Sequence, residues 1–204
     1  MNIPEFLAFR KDADAAIAKG LQQAKEQGLP LACTTCERPS CCSQDILAYV
    51  PESRIIADRI RGDRDLEFRV ENWVVRCLAI PREEMVENEN YLFDRKMYCP
   101  FFLGRRCVVY EDRPLACRIH HAFEDNDDLC NQYGVENPKH LRLLDPGPIH
   151  KKLIGEHGMH AYLMSLCVMA LLHPESSIGK SASLAADYGH HLFMWRIGQK
   201  MKGE

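Results

Sequence analysis

The chain has 204 residues, enough for one domain with a substantial core or for two small ones, and no linker-like stretch divides it. Its 26 basic residues stand against 29 acidic ones, a formal net charge of -3, which argues against a broad basic field for nucleic acid or anionic lipid. Ten cysteines are the unusual feature; because Met1-Asn-Ile-Pro-Glu lacks the basic start and apolar core of a secretory signal, they are expected as thiols in a reducing cytoplasm, not as disulfides.

Phe6, Ala13, Ile17, Leu21 and Ala24 recur at helical spacing with Lys11, Asp12 and Lys19 between them, so an amphipathic helix is predicted, ending near Gly28 and Pro30. The stretch Cys33-Thr-Thr-Cys36-Glu-Arg-Pro-Ser-Cys41-Cys42 follows, with neither helical nor strand periodicity. Ile46 to Val50 reads as a short strand stopped by Pro51, which also suits the first turn of a helix whose inner face is Ile55, Ile56 and Ile60. Between Glu52 and Arg76 six acids and six arginines interleave beside the apolar set Leu66, Val70, Trp73, Val74, Cys77 and Leu78. The charges are expected on a solvated outer face. Pro81 followed by Glu83 and Glu84 predicts another helix start, its acids set against the N-terminal dipole.

Four more thiols lie between Tyr98 and Cys130. Gly104, Arg105 and Arg106 predict a turn between short strands, and Arg113-Pro114 predicts one helical turn presenting Cys117. Arginines close to thiolates would also lower their pKa. From Pro148 the pattern is helical: Ala161 to Leu172 reads as a buried helix, 12 residues long and too short for the roughly 20 that cross a bilayer. Leu184, Tyr188, Leu192 and Trp195 then mark the inner face of a closing helix. The expected fold is mainly α with small irregular β segments: a single helical domain, 1–204, organised around a cysteine-rich metal site. Its cysteine-cluster region spans 33–130 and its C-terminal helical closure 148–201.

Cys77 and Cys167 fall on apolar helical stripes, where cysteine behaves as a small hydrophobe. The remaining eight, Cys33, Cys36, Cys41, Cys42, Cys99, Cys107, Cys117 and Cys130, are the candidate metal ligands. Two thiols separated by two residues can curl toward one ion, and consecutive Cys41 and Cys42 point to opposite sides of an extended segment. Thiolate sets suit zinc and iron-sulfur clusters alike, so the cofactor expected is Zn2+ or an iron-sulfur cluster. All nine histidines lie at position 120 or later, and only His120 and His121 sit close enough in sequence to the cysteines to be candidates.

Clustered cysteines, then Cys99-Pro100-Phe101, then Cys107, Tyr110, Arg113-Pro114 and Cys117-Arg118, resemble the YkgJ-type cysteine-cluster proteins. That is the CxxCxxCC domain to which zinc or iron chelation is attributed. Four residues separate Cys36 from Cys41 here where that pattern has two. The resemblance implies ligand roles for the eight candidate cysteines and makes Tyr110, Arg113 and Arg118 its non-cysteine signature with Pro114. The same domain is associated with flagellin lysine N-methylase.

The expected function is a small cytoplasmic metal-binding protein, its partner a metal ion or cluster, with neither nucleic acid nor membrane. The alternatives are a metal-dependent protein-modifying or redox enzyme, in which Tyr110, Arg113 and Arg118 would recognise substrate or handle protons, and a metal-stapled surface for a protein partner. No glycine-rich strand-to-helix turn of the kind a nucleotide-like cofactor needs is evident.

Overall fold

Asn2 starts the first helix of the computed structural model, accepting a hydrogen bond from the Glu5 amide while the Glu5 carboxylate accepts one from the Asn2 amide. The structure describes residues 2–28, 42, 46–88, 91–104, 106–122, 140–142, 148–149 and 151–202. Helix α1 runs Ile3–Glu26 and buries Phe6, Ala13, Ile17 and Ala24, the stripe legible in the sequence. Gly28, at φ 72, follows it in the left-handed region that glycine enters most easily.

Strand β1 (Leu47–Tyr49) passes directly into α2 (Val50–Ile60) at Pro51. Helix α3 (Arg64–Leu78), capped by the Asp63 side chain, buries Val70, Trp73, Val74 and Cys77. Two short helices follow, α4 (Arg82–Glu87) and α5 (Tyr91–Asp94). Arg95 forks onto the Glu84 carboxylate at 2.6 and 2.5 Å and holds it below the usual glutamate range. Strands β2 (Phe102–Leu103) and β3 (Arg106–Cys107) form the expected hairpin, with Gly104 at φ 58 in its turn. A 3-10 turn at Tyr110–Asp112 leads to α6 (Leu115–Ile119), the predicted helical turn carrying Cys117.

Strands β4 (His120–Ala122) and β5 (His140–Arg142) pair antiparallel. After a π-type turn at Lys151–Glu156 come β6 (Ala161–Leu163), α7 (Met164–Leu172) and α8 (Ser177–Lys202). The described residues are thus mainly helical, with three two-stranded antiparallel ribbons. Among them no helix is long and apolar enough to cross a membrane.

Two expectations about the C-terminal part are corrected. Ala161–Leu163 is a strand rather than the start of a helix, because Tyr49 pairs with Ala161 and Leu47 with Leu163. The closing helix does not turn Leu184 inward, since that side chain is 73% exposed while Ala182 and Ala186 are buried. Small residues let α8 lie close against its neighbours, and a Cβ at Gly189 would already stand 3.1 Å from Leu163 Cδ1. Helix α7 is buried over nearly its whole length, and its last carbonyls, Leu171 and Leu172, accept from the Arg61 guanidinium.

The core forms two clusters. The larger joins α2, α3, α7 and α8 with Tyr91, Leu92, Met97 and Phe101. The smaller packs Phe6, Ala13 and Ile17 of α1 against Leu115 and Ile119 of α6, with Ile149 and Leu153. Between them stands the β1–β6 ribbon: Ala48 and Leu163 belong to the larger cluster, Tyr49 and Ala161 to the smaller, and Leu47 touches both.

Candidate metal centre

Of the eight candidate ligands, Cys42, Cys99, Cys107 and Cys117 lie among the described residues; Cys33, Cys36, Cys41 and Cys130 lie outside them. The structure brings the two cysteine segments together. The Cys99 amide donates to the Cys42 carbonyl at 2.6 Å, so the end of the first cluster lies against the Cys-Pro-Phe turn of the second. Cys99 in turn accepts from the Phe102 amide at 3.0 Å, and Phe102 pairs with Cys107 across the β2–β3 hairpin. Cys42, Cys99 and Cys107 therefore share one short hydrogen-bonded stretch of backbone, and all three are half-buried.

Arg69 of α3 braces that stretch, donating from Nε to the Pro100 carbonyl at 3.2 Å and from Nη2 to the Phe102 carbonyl at 3.3 Å. A small cavity lies beside Cys42 and Cys99 and is lined also by Ile46, Trp73, Leu92, Met97, Leu163, Met164 and Ser165. Trp73 contributes an indole N–H that is buried with no hydrogen-bond partner among the described residues. Such a donor calls for a water or a sulfur nearby. Half-buried thiols are the soft donor type that zinc and iron-sulfur clusters take. Among the described residues no three Cys, His, Asp or Glu side chains converge closely enough to hold an ion.

Cys117 is half-buried on α6. The signature residues before and after it contact backbone and one another. Arg113 lies over the Tyr110 ring, 3.6 Å from its centroid, and donates to the Tyr110 carbonyl at 3.1 Å. Arg118 donates from Nε to the Arg113 carbonyl at 2.7 Å, from Nη2 to the Glu111 carbonyl, and from Nη1 to Asp14 of α1 at 3.1 Å. These bonds fold the Tyr110 to Arg118 segment on itself and attach it to α1. His120 and His121 lie on β4, opposite Arg142 and Leu141 of β5.

Sequence reasoning missed Glu52. Its place in the charged run predicts a solvated side chain, yet it is 1% exposed. As the third residue of α2 it accepts from the Tyr49 amide at 2.9 Å, and its other oxygen accepts from the Leu115 amide at 2.6 Å. One carboxylate thus caps α2 and anchors the start of the Cys117 helix. Burial pushes Glu52 up to about 7, against the opposing pull of the two amides and the charges of Arg10 and Arg118. Pro51-Glu52 at a helix start was the available signal, since a glutamate at the third position commonly bonds back to the cap. Leu78 is likewise corrected, at 38% exposed rather than on the inner stripe.

The two cysteines excluded from the ligand set are buried, Cys77 at 1% and Cys167 at 7% exposed. Burial pushes the Cys167 thiol above its ordinary range, which keeps it protonated and a poor nucleophile. Comparison of the chain with protein-family models, with curated proteins and with solved structures gives no match in any of the three.

Proposed function

We propose that the chain is a thiolate metalloprotein of the YkgJ type, in which Cys33, Cys36, Cys41, Cys42, Cys99, Cys107, Cys117 and Cys130 supply the ligands for zinc or an iron-sulfur cluster. The observation that carries this reading is the 2.6 Å bond from the Cys99 amide to the Cys42 carbonyl, which joins two cysteine segments far apart in sequence. Thiols gathered from separate segments form a chelate whose binding energy contributes to folding, roughly 10 to 16 kcal/mol for structural zinc in small modules. Arg113 and Arg118 serve this site by shaping the backbone around Cys117, which favours a supporting role over substrate recognition.

The test is anaerobic purification followed by an ultraviolet-visible spectrum and elemental analysis for zinc, iron and acid-labile sulfide. Brown protein with iron and sulfide assigns a cluster, and colourless protein with stoichiometric zinc assigns a closed structural site. Folded protein with neither metal, after metal-replete expression, overturns the proposal. Chelation of the loaded protein is expected to expose both cysteine segments to protease while α7 and α8 stay protected.

A further inference from the structure

The residue before β6 and the middle of α8 bring two imidazoles together. His160 Nδ1 lies 3.3 Å from His190 Nε2, with ring centroids 5.0 Å apart and planes crossed at 84°. His190 is positioned by its other nitrogen, which stands 2.8 Å from the Ala161 carbonyl. A carbonyl can only accept, so Nδ1 of His190 carries the proton and Nε2 presents a lone pair toward His160. An imidazole oriented by an Nδ1–H bond to a backbone carbonyl is the arrangement that metal-ligating histidines use.

The spacing fits that chemistry. Two nitrogens bound tetrahedrally at the usual zinc–nitrogen length are ~3.3–3.4 Å apart, the separation found between these two rings. The Tyr162 ring lies beside the pair, its centroid 5.5 Å from that of His190, and Asp187 stands one turn earlier on α8.

We propose that His160 and His190 form a second, thiol-free cation site, taking a borderline divalent ion such as Zn2+ with water completing its shell. Imidazole suits Zn2+, Ni2+ and Cu2+, whereas Mg2+ and Ca2+ prefer oxygen ligands. Binding replaces the bond between the rings by two bonds to one ion, as His160 exchanges its proton from Nδ1 to Nε2 through solvent and so frees the Nδ1 lone pair. His160 is exposed, which gives the ion access without opening the core. The site stands independently of whatever the cysteines hold.

The experiment is a Zn2+ titration of the purified full chain, reading the side-chain nitrogen resonances of histidine together with the number of ions bound. His160 and His190 are expected to shift together, and wild type to bind one more ion than His160→Ala or His190→Ala. His160→Ala is the cleaner variant, since an exposed ring contributes little to folding. His191→Ala, whose ring lies 5.7 Å from that of His190, is expected to keep the extra ion. Unmoved His160 and His190 resonances, equal ion counts in wild type and His160→Ala, or loss of the extra ion in His191→Ala would each overturn the two-histidine site. A metal-free cysteine region leaves this readout intact, because the resonances report the histidines alone.

Discussion

The two core clusters are held together differently, and the contrast shows where this protein is sensitive. Around α7 and α8 the larger cluster is apolar, and its closeness rests on small residues: Ala182 and Ala186 are buried, and Gly179 sits where a Cβ would be 1.9 Å from the His173 carbonyl. Around α1 and α6 the smaller cluster adds a polar frame, in which Glu52 ties β1 and α2 to α6 and Arg118 ties the Cys117 segment to Asp14. Close packing fails through sterics, whatever the pH. A buried carboxylate responds to pH, and it lies under the element that carries Cys117.

The largest effect is expected from Gly179→Ala. The added methyl meets backbone rather than a yielding side chain, so the start of α8 must shift, at ~3 kcal/mol or more. Denaturant unfolding measures it, and a wild-type midpoint would break the steric account of the larger cluster. Next comes the response of the smaller cluster to pH. The unfolded chain ionises Glu52 near the ordinary glutamate value, whereas the folded chain keeps the proton until about 7. Its contribution is therefore complete below the ordinary value and declines as pH rises toward 7, by about 3 kcal/mol in all. Unfolding measured at intervals between pH 4 and 8 should show that decline in wild type and a flatter profile in Glu52→Gln. Parallel profiles would separate Glu52 from the effect.

The smallest of the three is Arg118→Lys. An ammonium cannot reach two carbonyls and a carboxylate on different sides at once, so the cost is about 1–2 kcal/mol. The change should loosen the attachment of α6 to α1, read as faster amide exchange at Cys117 and Arg118 with α7 unaffected. Equal exchange in both helices would remove the distinction between the clusters.

Where the sequence read well, a local rule decided the outcome. The stripe from Phe6 to Ala24 can bury only one side of a helix, Pro51 starts a helix after a short strand, and Gly104 turns a hairpin. Where it read poorly, a distant partner decided. Ala161–Leu163 looked helical because apolar periodicity cannot distinguish a buried strand from a buried helix, and only β1 supplies the ladder that settles it. Leu184 looked internal by its spacing, but α8 turns its alanines toward the core. Of the candidate site, the residue types and the two cysteine segments were legible. The contact between Cys42 and Cys99 was not, since nothing local to either segment encodes it.

By itself, then, the sequence determined the mainly helical character, the starts of its helices and hairpin, and the thiol-rich composition, because these follow from side-chain type and short-range spacing. The tertiary structure alone decided that Glu52 is buried, that Arg69 braces the Cys-Pro-Phe turn, and that His160 meets His190. Each depends on what another segment places opposite the residue. A charge, a guanidinium or an imidazole takes its role from the donors and acceptors that long-range packing brings within about 3 Å of it.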